Sequence, residues 1–299
     1  MSLLVVGSVA YDSVETPFGK RSNVLGGSAL FFSLAAGFFC PVNLVAVVGK
    51  DFCKKDIDFL KRKKINLNGL EIAEGKTFRW KGRYSADFNN RETIFTHLNV
   101  FENFNPILPE QYKKSGYVFL ANIDPDLQLK VLKQISKPRL TACDSMNLWI
   151  ENKRASLMKV LKVIEIFIVN DSEAKQLTGR SNLIKAGNKM LTMGPKMVVI
   201  KKGEHGALVF TKQFKFCSAA YPLENVCDPT GSGDAFAGGF MGYLAMKKSL
   251  TKSNFKKAVI YGSILASFNV ESFSIERLKK LKQAEINKRF REFKELISF

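Results

Sequence analysis

Short apolar runs recur along the chain without polar alternation: Leu3–Val6, Leu44–Val48, Tyr117–Leu120, Leu140–Ala142, Ile164–Val169 and Met197–Ile200. A strand that is apolar on both sides must be covered on both faces, the condition of a central parallel strand. Helix-length segments fall between these runs: Phe52–Lys63, Asp126–Ser136, Lys153–Lys162, Ser172–Thr178 and Leu183–Thr192. The alternation predicts an α/β fold, a three-layer α-β-α arrangement around a mostly parallel sheet. Ligands of such sheets gather at the carboxyl ends of the strands. The last third reads as more helical, over Thr230–Lys247, Asn254–Asn269 and Ser274–Leu296. A chain of 299 residues can bury one large core, and a single domain over 1–299 is expected.

One region departs from this pattern. Thr77–Tyr84 alternates strictly, with Arg79, Lys81 and Arg83 on one face and Phe78, Trp80 and Tyr84 on the other. Arg91–His97 follows as a second alternating strand, so a small antiparallel β flap outside the main sheet is predicted. Basic and aromatic residues together also suit nucleic acid, as does the net charge of +19. The lysines are spread along the whole chain, however, and a solvated basic surface accounts for them; no nucleic-acid partner is expected. Leu30–Cys40 is the most apolar segment but falls well short of the ~20 residues that span a bilayer. It reads as a buried helix, with no membrane partner. The opening MSLLVVGSVAYDS has no basic leader, and the five cysteines form no C-x-x-C pair, which fits a cytoplasmic protein with reduced thiols. Two distant histidines leave little room for a His-based metal site or a Ser-His-Asp triad.

The chemistry is concentrated in Asp228–Phe240, DPTGSGDAFAGGF. Two common nucleotide motifs fail. Gly75-Lys76-Thr77 ends like a P-loop, but Leu70 stands where its first glycine belongs; Gly231-Ser232-Gly233 lacks the third glycine of a dinucleotide fingerprint because Phe236 stands there. A tight turn and cap is the plain alternative. Thr230 suits a helix N-cap, and the amides of Gly231, Ser232, Gly233 and Asp234 would then point outward as an anion site. Gly238, Gly239 and Gly242 favour this second reading, since each costs about 1 kcal/mol in a helix and only close packing offsets that. Asp234 suits a general base that takes the proton of an attacking hydroxyl, with a low pKa expected from the helix dipole.

The same stretch resembles the signature of the ribokinase-like (phosphofructokinase-B type) sugar and nucleoside kinases, D-T-x-G-A-G-D followed by a small-residue helix. Pro229 and Ser232 stand for the common Thr and Ala. Gly26-Gly27 in VLGGSALFFSLAA resembles the family's N-terminal signature, without the Asn many members carry at Phe32 or nearby. Asp12, Asn170 to Glu173 (NDSE) and Lys202 to Gly206 (KGEHG) match further motifs, in family order over essentially the whole length.

The resemblance implies a ribokinase-like fold, ATP and Mg²⁺, and phosphoryl transfer to a hydroxymethyl group of a small-molecule sugar or nucleoside. Asp234 would be the base and Gly231, Ser232 and Gly233 the anion hole; Asp12, Gly26 and Gly27 would hold the acceptor. Asp144, at a strand's carboxyl end with Asn147, would contact substrate or phosphate. Asn170, Lys202, Gly203, Gly206 and Phe268 would border the nucleotide, with Glu173 reaching Mg²⁺ through water. Asp228 is either a loop brace or part of a K⁺ site, and Phe268 with Asn269 either lines the adenine or packs the core. The flap becomes a lid built from segments near 12–22 and 72–98, a surface through which a homodimer could form. Whether Arg79, Lys81 and Arg83 face substrate or a partner subunit stays open. So does nucleoside against free sugar, because Phe31, Phe32 and Phe38 are either aromatic contact surface or core. A catalytically silent nucleotide sensor and a basic nucleic-acid-binding protein are the rival functions.

Overall fold

In the computed structural model, which describes residues 2–85, 88 and 91–298, the chain starts with β1 (Leu3–Val6) and the hairpin β2 (Ala10–Thr16) and β3 (Gly19–Gly26). Helix α1 (Ser28–Ala36), β4 (Val42–Gly49), α2 (Lys54–Arg62) and β5 (Ile65–Ala73) follow. The lid strands are β6 (Phe78–Tyr84) and β7 (Arg91–His97); residues 86, 87, 89 and 90 of the predicted lid segment lie outside the described residues. Next come β8 (Tyr117–Leu120), α3 (Pro125–Leu132), β9 (Leu140–Asp144), α4 (Asn147–Asn152) and α5 (Arg154–Leu161). Then β10 (Ile166–Asn170), α6 (Asp171–Thr178), α7 (Leu183–Leu191), β11 (Met197–Lys201), β12 (Ala207–Thr211) and β13 (Lys215–Ser218) complete the strands. The chain ends with α8 (Ser232–Lys247), α9 (Lys252–Asn269), α10 (Glu276–Lys280) and α11 (Gln283–Ile297).

Among the described residues the main sheet has nine strands in the order β13-β12-β11-β10-β9-β8-β1-β4-β5, parallel except for β12 and β13. Leu3 and Val5 point into one core and Leu4 and Val6 into another. A strand with a dry core on each side has no position for a polar residue, which is why the central strands show no alternation. The strands expected to form the lid make a second sheet, β3-β2-β6-β7, antiparallel within each hairpin and joined by the parallel pair β2 and β6.

Three expectations need adjusting. The run Ile164–Val169 pairs only from Ile166, and the segment Ser274–Leu296 is two helices rather than one. The break lies at Leu281, whose extended backbone (φ −60°, ψ 136°) turns its side chain into the core at 5% exposure. Thr230 does not cap α8: the N-cap is Gly231, in the left-handed region at φ 74°, because the chain must turn sharply there to enter the helix. The segment Leu30–Cys40 does carry a buried helix, and no helix among the described residues is long and apolar enough to cross a membrane.

Helix α8 lies between α1 and α9 with backbone against backbone. A β-carbon on Gly238 would fall 2.3 Å from the Phe32 carbonyl oxygen, and one on Gly239 would fall 2.7 Å from that of Tyr261. These contacts are why the helix tolerates its glycines. Gly239→Ala is therefore expected to destabilise the fold by about 1–3 kcal/mol although alanine is the better helix former. The urea midpoint measures this, and a more stable variant would show that α8 is not clamped.

Candidate active site

The amino end of α8 opens at the carboxyl ends of the central strands. Its Ser232 amide donates to the Pro229 carbonyl at 3.1 Å, and Ala235 closes the first helical turn on Gly231. The amides of Gly231, Gly233 and Asp234 have no protein acceptor among the described residues. Of the four amides expected to be open, Ser232 is taken and the other three remain. The Phe31 ring packs directly on Gly231, where a β-carbon would come within 2.3 Å. Asp228 holds the loop in shape: its Oδ1 accepts the Thr230 amide at 2.9 Å and its Oδ2 the Ser274 amide at 2.9 Å. Asn269 adds a donation to the Thr230 carbonyl at 2.8 Å. With both oxygens bonded to backbone, Asp228 is a brace, and its geometry gives the K⁺ reading no support.

Lys201, the last residue of β11, places its Nζ 3.1 Å from the Asp144 carboxylate. A β-carbon on Gly233 would lie 2.8 Å from that ammonium, so the lysine stands at the mouth of α8. Burial disfavours its charge, but Asp144, Glu173 and Asp234 together raise its pKa. Asp234 is pushed well above the usual carboxylate range, first by burial and then by Asp144, with Asp12 and Glu173 adding and Lys201 opposing. The low pKa expected from the dipole is overturned by desolvation. Glu173 rises to about 7, mainly by burial and then by Asp144. It forms a reciprocal capping box with Asn170, each side chain accepting the other's amide, at 2.7 and 2.8 Å. Among the described residues no group of three His, Cys, Asp or Glu side chains could hold a metal directly. Glu173, a buried carboxylate with one oxygen on a backbone amide, fits a magnesium ion held mostly by water and phosphates.

At the other end of the cleft, Asp12 rests on the Gly26–Gly27 backbone. A β-carbon on Gly26 would fall 1.9 Å from its Oδ2, and the Gly27 amide donates to it. Burial lifts Asp12 to about 7, with Asp228 adding and the Gly27 hydrogen bond opposing. Asp12 lies in β2, in register with Trp80 of β6, so both belong to one face of the lid sheet. Tyr84, further along β6, accepts a hydrogen bond from the Thr230 hydroxyl at 3.3 Å and ties the lid to the α8 loop.

The structure thus brings Asp12, Gly26, Gly27, Asp144, Asn170, Glu173 and the Gly231–Asp234 segment together about the amino end of α8. Other predicted residues fall elsewhere. Gly203 and Gly206 shape the turn after β11 with positive φ, and Lys202 closes that turn through its backbone. The cleft-facing cation is its neighbour Lys201. Phe268 is 2% exposed, with the Arg289 guanidinium 3.5 Å and that of Arg277 4.8 Å from its ring centre, so it packs the core and offers no face to an adenine. Phe31 and Phe32 are core as well, Phe32 stacking on Phe119 at 4.3 Å. Arg79 pairs with Asp51 at 2.8 Å and Arg83 with Glu15 and Glu92, so both are held within the chain. Lys201 and Tyr84 were not singled out from the sequence. Lys201 carries a readable signal, a single charge closing the apolar run MVVI at a parallel strand's carboxyl end.

Residues 4–278 match the model of the pfkB family of carbohydrate kinases. A cytidine kinase of Thermococcus kodakarensis is 31% identical over 246 residues, covering 81% of this chain and 87% of that protein. Burkholderia thailandensis nucleoside kinase in complex with inosine superposes with a TM-score of 0.81 at 18% identity, covering 98% of this chain and 97% of that one. An Escherichia coli protein described as a Ribokinase II, in complex with ATP and Mg²⁺, has a TM-score of 0.79 at 17% identity, covering 97% and 99%.

The lifted carboxylates predict a pH response. Asp12 ionises near about 7 in the folded protein against an ordinary 3.8, so across that window the folded form holds a proton the unfolded chain has released. Stability must then fall as pH rises, and Glu173 acts in the same direction. Ligand-free protein should melt lower at about pH 8 than at about pH 5, and Asp12→Asn should flatten the slope. Identical slopes in the two proteins would rule Asp12 out as a source.

Proposed function

The chain belongs to the pfkB family of carbohydrate kinases, and on that premise we propose that it transfers the γ-phosphoryl group of ATP to the hydroxymethyl group of a nucleoside. The carrying observation is Asp234 at the mouth of a clamped helix whose Gly231, Gly233 and Asp234 amides are open, with Lys201 beside them. The acceptor oxygen attacks the γ-phosphorus while the bond to the bridging oxygen breaks and its electrons leave on ADP. Asp234 takes the hydroxyl proton, and its raised pKa makes it a stronger base than a solvated aspartate. The open amides and Lys201 meet the negative charge on the transferred oxygens. Asp12, oriented by the Gly27 amide, accepts hydrogen bonds from acceptor hydroxyls. Mg²⁺, when bound with the nucleotide, neutralises its phosphates, and Glu173 would hold it through water.

One observation favours a nucleoside over a free sugar: the relative at 31% identity is a cytidine kinase. Glu173, Asn170 and Asp144 stand on the phosphate side, the last through its pair with Lys201.

An ADP-release assay across nucleosides, pentoses, hexoses and sugar phosphates tests this reading. A nucleoside should give the highest kcat/KM, and a clear preference for a free sugar would remove the nucleoside assignment while leaving the kinase. Asp234→Asn should lower kcat by about 10²–10⁴-fold with ATP binding retained; comparable turnover in that variant would show that Asp234 is not the base.

A further inference from the structure

We infer that Arg91 is a further catalytic residue: carried by lid strand β7, its guanidinium contacts the phosphoryl group in transit between ATP and the acceptor. The inference rests on the kinase reading above. Arg91 lies opposite Tyr84 in the β6–β7 ladder, with its guanidinium 5.5 Å from the Trp80 ring centre and its charge acting on the Tyr84 hydroxyl. That hydroxyl is the one bonded to Thr230, the residue before the open Gly231 amide. Trp80 marks the acceptor side, being in register with Asp12, while the charge of Arg91 is also felt by Glu173 on the phosphate side. The guanidinium therefore lies between the two halves of the site, on the lid side of the α8 mouth.

Its neighbours in the lid are otherwise engaged. Arg79 is paired with Asp51, and Arg83 with Glu15 and Glu92, whereas Arg91 has no ion pair among the described residues and is exposed. The reaction needs a cation there. As the acceptor oxygen bonds to phosphorus and the bridging oxygen leaves with ADP, charge spreads over three equatorial oxygens. Lys201 and the α8 amides approach from the sheet side, so the oxygen turned toward the lid is left to Arg91. A planar guanidinium can donate two parallel hydrogen bonds to such oxygens, which an ammonium cannot. The proton still goes to Asp234; Arg91 stays charged throughout and exchanges none.

The test uses the full chain with Arg91→Gln and Arg91→Lys, assayed with the best nucleoside acceptor. Arg91→Gln should lower kcat by about a hundredfold or more, with KM for ATP and acceptor within about threefold of wild type. Arg91→Lys should fall between, since the charge stays and the fork is lost. A readout independent of turnover is binding of ADP with aluminium fluoride and acceptor, which mimics the planar phosphoryl. That complex should weaken in Arg91→Gln by a factor similar to the loss in kcat, while affinity for ADP alone and melting temperature stay unchanged. A kcat within about threefold of wild type, a loss confined to acceptor KM, or equal weakening of ADP alone would each overturn the inference. Failure of the kinase reading looks different: wild-type protein would then release no ADP with any acceptor.

Discussion

Everything in the site depends on the backbone contact that holds α8 between α1 and α9. Side-chain packing would leave the helix some freedom to slide. A carbonyl oxygen where a β-carbon would sit, as at Gly238 and Gly239, leaves almost none. The same contact fixes the helix's amino end, because Phe31 of α1 packs onto Gly231 one residue before α8 begins. Open amides stabilise developing charge only if they need not move when it appears. The clamp, the Asp228 brace and the Asn269 bond to Thr230 together supply that rigidity.

The electrostatics follow from how deep that helix end lies. A helix dipole is worth about 0.3–1 kcal/mol at an exposed terminus, less than one pKa unit. Burial can move a carboxylate by several units. Desolvation therefore decides the state of Asp234, and Asp144, Asp12 and Glu173 push in the same direction. Lys201 is the buried countercharge that makes ionisation of the cluster affordable at all. The lifted carboxylates also answer how an acid-rich cleft admits a polyphosphate. Groups such as Asp12 and Glu173, which give up protons only near about 7, can meet an anion while neutral, so repulsion is weaker than a count of formal charges suggests.

What could be read from the sequence was set by how many faces of each element are buried. The runs at Leu3–Val6, Tyr117–Leu120 and Met197–Ile200 were legible because both their faces feed dry cores. β5 was not, because INLNGLEIA forms the sheet edge, where polar residues interrupt the apolar signal. The break at Leu281 has no proline or glycine to announce it; burial of one side chain produces it. In the site, Asp234 was read from the chemistry of a carboxylate at a glycine-rich helix start, and Asp12, Gly26-Gly27 and Glu173 from the resemblance to a kinase family. Lys201 was passed over although it closes an apolar run at a strand's carboxyl end. Arg91 was missed for the opposite reason: a single basic residue on a polar strand in a chain of charge +19 carries no local signal, and only the third dimension relates it to the carboxylates.

The topology of the lid adds a constraint that neither its composition nor its alternation reveals. β2 belongs to the lid sheet rather than the main one, so Asp12 is carried by the element that covers the site. Trp80 is its register partner, and Tyr84, four residues on, is bonded to the loop of α8. At its other end the sheet is anchored where Tyr11 of β2 donates to Asp56 at 2.8 Å and Arg79 of β6 pairs with Asp51. A shift of the lid relative to the core would therefore move acceptor recognition and the Tyr84 contact together. In the proposed reaction, acceptor binding through Asp12 and exclusion of water from the phosphoryl group would become one event, because both would fall to a single four-stranded sheet.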